Sequence, residues 1–186
     1  CYRMNLDDAQ KELCCRIIDT PGNWFITGPA GTGKTVILRE LKTRFLKVHD
    51  SASVQIVVPT GAATLLCNGK TIHSYFQINP FEKSPHIEKL VAASLTRSSQ
   101  TLAALKVLII DEISMVSNKL FIVIHEMLKR AKESQEPFGG VKLVIFGDFK
   151  QLEPVNDGSE FVYNDKKYFF PFLLKKDLFL IFVQNS

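Results

Sequence analysis

The sequence predicts an α/β fold in which a parallel sheet is covered by helices on both faces. Two observations carry this. Short apolar runs alternate with segments whose apolar residues recur every three or four positions, the periods of strand and amphipathic helix. The runs are also apolar throughout rather than alternating with polar residues, as parallel strands buried on both faces are.

Taken in chain order, Trp24 to Thr27 (WFIT) is a short apolar strand that ends at a glycine-rich turn. From Lys34 to about Val48, Ile37, Leu38, Leu41 and Phe45 fall on one side of a helix. Val54 to Pro59 (VQIVVP) reads as a β-branched buried strand, Val107 to Asp111 (VLIID) as another, and Val141 to Gly147 (VKLVIFG) as a third. Between the last two, Leu120, Ile124, Met127, Leu128 and Ala131 mark a helix. The stretch Gln77 to Gln100, with Pro80, Pro85 and mixed polarity, does not fit the alternation and reads as an insertion.

Length and composition narrow the class. At 186 residues the chain is a little longer than one typical domain. With 46% apolar and 23% charged residues, 10 Gly and 8 Pro, it is neither collagen-like, low-complexity nor disordered. No apolar run approaches a bilayer span, so no membrane partner is expected; Leu178 to Val183 suits a buried strand. The opening Cys1-Tyr2-Arg3, without a Met or an apolar signal core, reads as the start of an excised or processed piece. Net charge is +4. Residues 1–110 hold 13 basic against 8 acidic side chains and residues 111–186 hold 10 against 11, a surplus compatible with a polyanionic partner. Cys1, Cys14, Cys15 and Cys67 match neither a disulfide framework nor a zinc pattern, so free thiols in a reducing, intracellular setting are expected.

The most specific motif is Gly28-Pro29-Ala30-Gly31-Thr32-Gly33-Lys34-Thr35, the G-x-x-x-x-G-K-T phosphate loop of the P-loop NTPases. Its glycines let successive backbone N–H groups converge on phosphate oxygens at the positive end of the helix that follows. Lys34 would neutralise the β and γ phosphates of ATP, and the Thr35 hydroxyl would hold Mg²⁺. A second element, Val107-Leu108-Ile109-Ile110-Asp111-Glu112, delivers two acids at the carboxyl end of a buried strand, where open sheets bind ligands. Asp111 would orient Mg²⁺ and its water, and Glu112 would polarise the attacking water.

Six motifs in order, from Leu6 to Val155, resemble the Pif/RecD-like branch of superfamily 1 DNA helicases. Val58-Pro59-Thr60-Gly61-Ala62-Ala63 and Lys70-Thr71-Ile72-His73-Ser74-Tyr75-Phe76 are similar to motifs Ia and Ib, Leu108 to Val116 to motif II, and Gly147 to Val155 to motif III. Pro137-Phe138-Gly139-Gly140-Val141 is similar to a stretch that separates Pif-type enzymes from plain RecD, and Leu6-Asp7-Asp8-Ala9-Gln10 resembles the adenine-reading Q motif. The resemblance implies a RecA-like lobe (1A, residues 1–76 and 101–186) with a small wedge insertion (1B, residues 77–100), and a second RecA-like lobe that this chain lacks. It also implies an ATP-dependent 5′-to-3′ motor on single-stranded or forked DNA. Pro59, Thr60, Gly61, His73 and Ser74 would lie at the DNA, Gln10 at the adenine, and Gln151 would sense the γ phosphate. Phe76, Phe81 and Lys83 would face the fork.

Each of these residues also has a plainer reading. Gln10 and Gln151 would serve as surface amides and His73 as a structural histidine, and for the basic helix face of Arg39, Lys42, Arg44 and Lys47 a solvated surface explains the charges at least as well as DNA binding. The family's motif III commonly reads Q-L-P-P-V, whereas this chain has Glu153 at the third position. Leu178 to Gln184 resembles the strand leading into motif IV, and the arginine finger that the mechanism needs would come from the second lobe. The alternative function class is a non-helicase P-loop ATPase, of AAA+ or scaffold type. It would share Lys34, Thr35, Asp111 and Glu112 but would leave T-I-H-S and G-D-F-K-Q-L unexplained.

Overall fold

A computed structural model describes residues 6–81, 86–148 and 178–183. Six strands, β1 (Asn23–Thr27), β2 (Val54–Val58), β3 (Lys70–Thr71), β4 (Val107–Ile110), β5 (Lys142–Gly147) and β6 (Leu178–Phe182), form one sheet in the order β3-β2-β4-β5-β1-β6. Every pairing is parallel. Six α-helices accompany it: α1 (Asp8–Asp19), α2 (Lys34–Val48), α3 (Gly61–Cys67), α4 (Ile72–Phe76), α5 (Ile87–Ala104) and α6 (Asn118–Ala131). The α/β class and the helices on both faces are as the sequence predicts.

Strand side chains alternate between two cores. Val107 and Ile109 of β4, with Val144 and Phe146 of β5, pack with Trp24, Ile26 and the buried residues of α1 and α2. Leu108, Ile110, Leu143 and Ile145 point the other way and pack with α4, α5 and α6. All these strand residues are buried, which is why the strands read as unbroken apolar runs.

Three strands are one residue shorter than the sequence suggests, β5 beginning at Lys142 rather than Val141. Pro59 has no N–H to continue β2, and β4 stops at Ile110, although the Asp111 N–H still donates to Val57 O at 3.0 Å. The larger difference concerns residues 77–100. From Ile87 this stretch is α5, which runs through residue 100 to Ala104 and packs along α6. Its Leu90, Val91 and Leu102 belong to the core, so the expected boundary at 100/101 falls inside a helix that covers the sheet. Phe76 is wholly buried, edge-on to Tyr75, and does not face a fork; burying its ring in the core outweighs leaving it in water. Phe81 is 86% exposed, and Lys83 lies outside the described residues.

Candidate nucleotide and DNA site

The carboxyl ends of β1, β4 and β5 meet along one edge of the sheet, with β1 beside β5 and β5 beside β4. From β1 the chain enters the loop of residues 28–33. Gly28 is buried, Pro29, Ala30 and Gly31 are exposed, and Thr32 is buried with its hydroxyl donating to Pro29 O at 2.9 Å. Gly33 caps α2 in the left-handed region (φ 83°), and no side chain caps the first turn of that helix. The Val36 N–H turns back to Gly33 O at 2.9 Å, while no side chain competes with a ligand for the N–H groups of Lys34 and Thr35.

Lys34 opens α2. Its ammonium donates to Gly28 O and, at 2.7 Å, to Pro29 O, so the loop's own carbonyls hold the amine where phosphate oxygens would compete for it. Thr35, one residue on, is exposed. Asp111 stands at the end of β4, and the Glu112 N–H donates to its Oδ1 at 3.0 Å. Burial pushes the Asp111 carboxyl up, and the neighbouring Glu112 charge pushes the same way. The Glu112 N–H and the Lys34 charge pull it down. A half-desolvated carboxylate beside a second acid is short of positive charge, and carboxylate and hydroxyl oxygens such as those of Asp111 and Thr35 are donors of the kind a hard divalent cation takes.

Glu112 itself is exposed and adopts φ 51°, ψ 48°, a left-handed conformation that costs a non-glycine residue energy. Such strain occurs where a tight geometry must be held. Behind it, Ile113 is pressed against the end of β5. A methyl group on Gly147 would come within 2.7 Å of Ile113 Cγ2, so the strand leading to motif III and the turn after motif II are in direct contact.

Gln10 sits on this site as well. A Cβ at Gly33 would lie 2.8 Å from Gln10 Nε2, so the amide rests against the phosphate loop; a side chain there would push this flexible amide aside, and φ 83° itself favours glycine. Its Oε1 accepts the Asp7 N–H at 3.2 Å while Asp7 Oδ1 accepts the Gln10 N–H at 2.7 Å, a reciprocal cap on α1. The amide thus has its NH₂ directed at the loop and its oxygen partly committed to the cap.

The segments expected at DNA lie together on adjacent strands, since Val58 of β2 pairs with Thr71 of β3. Pro59 and Thr60 follow β2, and Thr60 precedes α3 without using its side chain as a cap. His73 and Ser74 lie in α4, where the Thr71 hydroxyl accepts the Ser74 N–H at 3.1 Å. The first Thr of T-I-H-S is therefore a helix cap. Gly61 and Ser74 are exposed; His73 is half-buried, and burial lowers its pKa, which favours the neutral ring. Gln151, Lys150 and Glu153 lie outside the described residues.

Of the basic residues of α2, Arg44 pairs with Glu40 at 2.7 Å, while Arg39 and Lys42 bond to the end of α3. Sequence reasoning left their face unassigned. It also did not find His125, a buried residue of α6 whose Nδ1 accepts the Phe138 N–H at 3.1 Å, because a lone His on an apolar helix carries no motif.

The family model described as PIF1-like helicase matches residues 5–164. The chain is 37% identical over 154 residues to the ATP-dependent DNA helicase RRM3 of Saccharomyces cerevisiae, covering 81% of this chain and 21% of that protein. It is 35% identical over 133 residues to the ATP-dependent DNA helicase Pif1 of Bdellovibrio bacteriovorus, covering 72% of this chain and 29% of that protein. The chain thus spans less than a third of the length of these curated relatives. Pif1 helicase from Candida albicans superposes with a TM-score of 0.81 at 26% identity, over 98% of this chain and 41% of that one. Pif1 helicase from Bacteroides, solved in complex with ADP-AlF3 and ssDNA, superposes with a TM-score of 0.71 at 30% identity, over 98% of this chain and 42% of that one.

Proposed function

Because the chain belongs to the PIF1-like helicase family, we propose that it is the first RecA-like lobe of an ATP-dependent, 5′-to-3′ DNA helicase. One observation supports this above the others. The phosphate loop, Lys34, Asp111 and Glu112 converge on one sheet edge, with the Lys34 charge acting on Asp111 and Gln10 packed on the loop. Family membership supports this reading over a non-helicase P-loop ATPase.

In the proposed mechanism the N–H groups of residues 30–35 cradle the phosphates. The Lys34 ammonium leaves Gly28 O and Pro29 O for the β and γ phosphate oxygens, exchanging neutral acceptors for charged ones. Thr35 and Asp111 would hold Mg²⁺, which when bound neutralises charge on the phosphates. Glu112 polarises the attacking water, and Gln10, whose NH₂ rests against the loop at Gly33, turns it to the adenine. Gln151 is proposed to sense the γ phosphate. Pro59, Thr60, Gly61, His73 and Ser74 contact single-stranded or forked DNA, chiefly by hydroxyl and N–H donors to the backbone, a sequence-tolerant mode. A second RecA-like lobe supplies the cation opposite Lys34. The strand-separating wedge is placed around the exposed Phe81, with α5 reckoned to the lobe itself. An intracellular setting accords with the free thiols of Cys14, Cys15 and Cys67, and no helix among the described residues is long and apolar enough to cross a membrane.

Calorimetric titration with ATP and Mg²⁺ tests the site. The wild-type chain is expected to bind, and Lys34→Ala to bind at least tenfold more weakly. No binding by the wild type, or undiminished binding by the variant, overturns the assignment. Robust DNA-stimulated turnover by residues 1–186 alone overturns the need for a second lobe.

A further inference from the structure

Helix α3 is weakly anchored. Of its seven residues only Cys67 is buried, and Leu65 and Leu66 are 87% and 63% exposed. Its first turn has no side-chain cap. At its other end Asn68 turns into the left-handed region (φ 50°), and its N–H and that of Gly69 both return to Thr64 O. This leaves later carbonyls of the helix end without a backbone donor, at the negative end of the helix dipole.

Two cations of α2 meet that need from 26 and 27 residues away in sequence. Arg39 Nε donates to Leu66 O at 2.7 Å, and a second guanidinium N–H reaches the same oxygen. Lys42 Nζ donates to Asn68 O at 2.6 Å. Arg39 and Lys42 are three residues apart and so lie on one side of α2. The same helix begins at Lys34, the phosphate lysine, about two turns before the second clamp. A single rigid helix therefore carries the phosphate contact at one end and, within that distance, both bonds that hold α3. The N-terminal end of α3 is Gly61, next to Thr60.

Resting on the nucleotide and DNA assignments proposed above, we propose that Arg39 and Lys42 are positioning residues that link the phosphate loop to the DNA grip, by tying the C-terminal end of α3 to α2. They touch neither nucleotide nor DNA. A displacement of α2 as Lys34 moves onto phosphate is passed to α3 through these bonds and reaches the Thr60–Gly61 segment as a change in position. Exposed carbonyl-capping cations with no such role would affect stability alone.

The test is the coupling between the two ligands, measured by fluorescence anisotropy of a labelled oligothymidylate on the full chain. Affinity is taken without nucleotide and with saturating Mg²⁺–ADP–aluminium fluoride, and hydrogen exchange is followed at residues 61–68. In the wild type the two DNA affinities are expected to differ several-fold, within the usual range of site-to-site coupling. In Arg39→Met/Lys42→Met, which keeps both stems, nucleotide affinity is expected to stay within about twofold while the ratio of DNA affinities falls toward one. Nucleotide should then no longer alter exchange in α3. Arg39→Lys with Lys42→Arg, which keeps both charges, should restore most of the coupling.

An undiminished ratio in the Met variant overturns the proposal. So does a parallel loss of nucleotide and DNA binding, which would make the bonds structural only, and so does a wild type that binds both ligands without coupling. A wild type that binds neither overturns the site assignment beneath it.

Discussion

Acid should loosen this lobe through a single buried imidazole. His125 is 3% exposed; its Nδ1 accepts the Phe138 N–H, and its ring stands edge-on to the Phe138 ring at 4.8 Å between centroids. Phe138 has φ 52° in the Pro137–Gly140 turn, so this bond helps to hold a backbone conformation that Phe does not favour. Protonating Nδ1 would turn the acceptor into a donor facing a donor. Burial, with a smaller push from the Lys129 charge, lowers the His125 pKa to about 4, against an ordinary value of 6.5. Between those values the unfolded chain takes up a proton here that the folded chain refuses, so stability falls as the pH drops from 6.5 toward 4. The difference amounts to about 2.5 kcal/mol by pH 4.5. Glu126 Oε1, 3.7 Å from Nε2, favours the charged ring and makes that figure an upper one. His125→Asn keeps an acceptor near the Nδ1 position and does not titrate. Urea unfolding of both proteins from pH 7 to 4.5 should show the wild type losing more, with midpoints diverging by on the order of 1 M. The comparison cancels other groups, including Asp111, whose raised pKa acts in the opposite direction as pH falls. Parallel profiles for the two proteins would refute the reasoning.

Glu112→Gly removes the left-handed strain, worth about 1 kcal/mol or slightly more, but adds about 0.4–1 kcal/mol of unfolded-state entropy. It should melt at or slightly above the wild type and above Glu112→Ala; an Ala variant that outmelts the Gly variant would remove the strain argument. Gly147→Ala forces a methyl group against Ile113 Cγ2 and should cost about 1–3 kcal/mol in denaturant titrations. Adding Ile113→Ala should cost less than the sum of the single changes, and strict additivity would deny the contact. Asn23→Ala strips the acceptor from the buried Leu143 N–H, 2.9 Å from Asn23 Oδ1, and should cost about 1–3 kcal/mol. Asn23→Asp, which keeps an oxygen there, should cost less by the same assay.

Much of the fold was legible because its signals are local. β4 announces itself as four consecutive buried apolar residues, and α2 by Ile37, Leu38, Leu41 and Phe45 on one face, whatever the rest of the chain does. α5 was not legible for an equally physical reason. Two of its five buried positions are Ser94 and Ser98, and the Ser98 hydroxyl satisfies itself on Ser94 O at 2.9 Å. Polar residues at core positions erased the apolar period, and the helix looked like an insertion. The P-F-G-G stretch carried a family signal, yet its Phe138 is buried under His125 and serves packing.

The sequence by itself determined the candidate chemistry: a phosphate-loop motif with its lysine and hydroxyl, two acids at a strand end, and the family to which that order belongs. These follow from residue type and short spacing, which survive without knowledge of neighbours. Tertiary structure alone decided which partner each polar group meets. It set Gln10 against Gly33, returned Lys34 to the carbonyls of its own loop, buried Phe76, and turned Arg39 and Lys42 into bonds to the end of α3. Those polar partners lie from 5 to 27 residues away along the chain, and a long cationic side chain has no intrinsic preference among carbonyls. Only the packing of α2 beside α3 brings the particular oxygens of Leu66 and Asn68 within its reach.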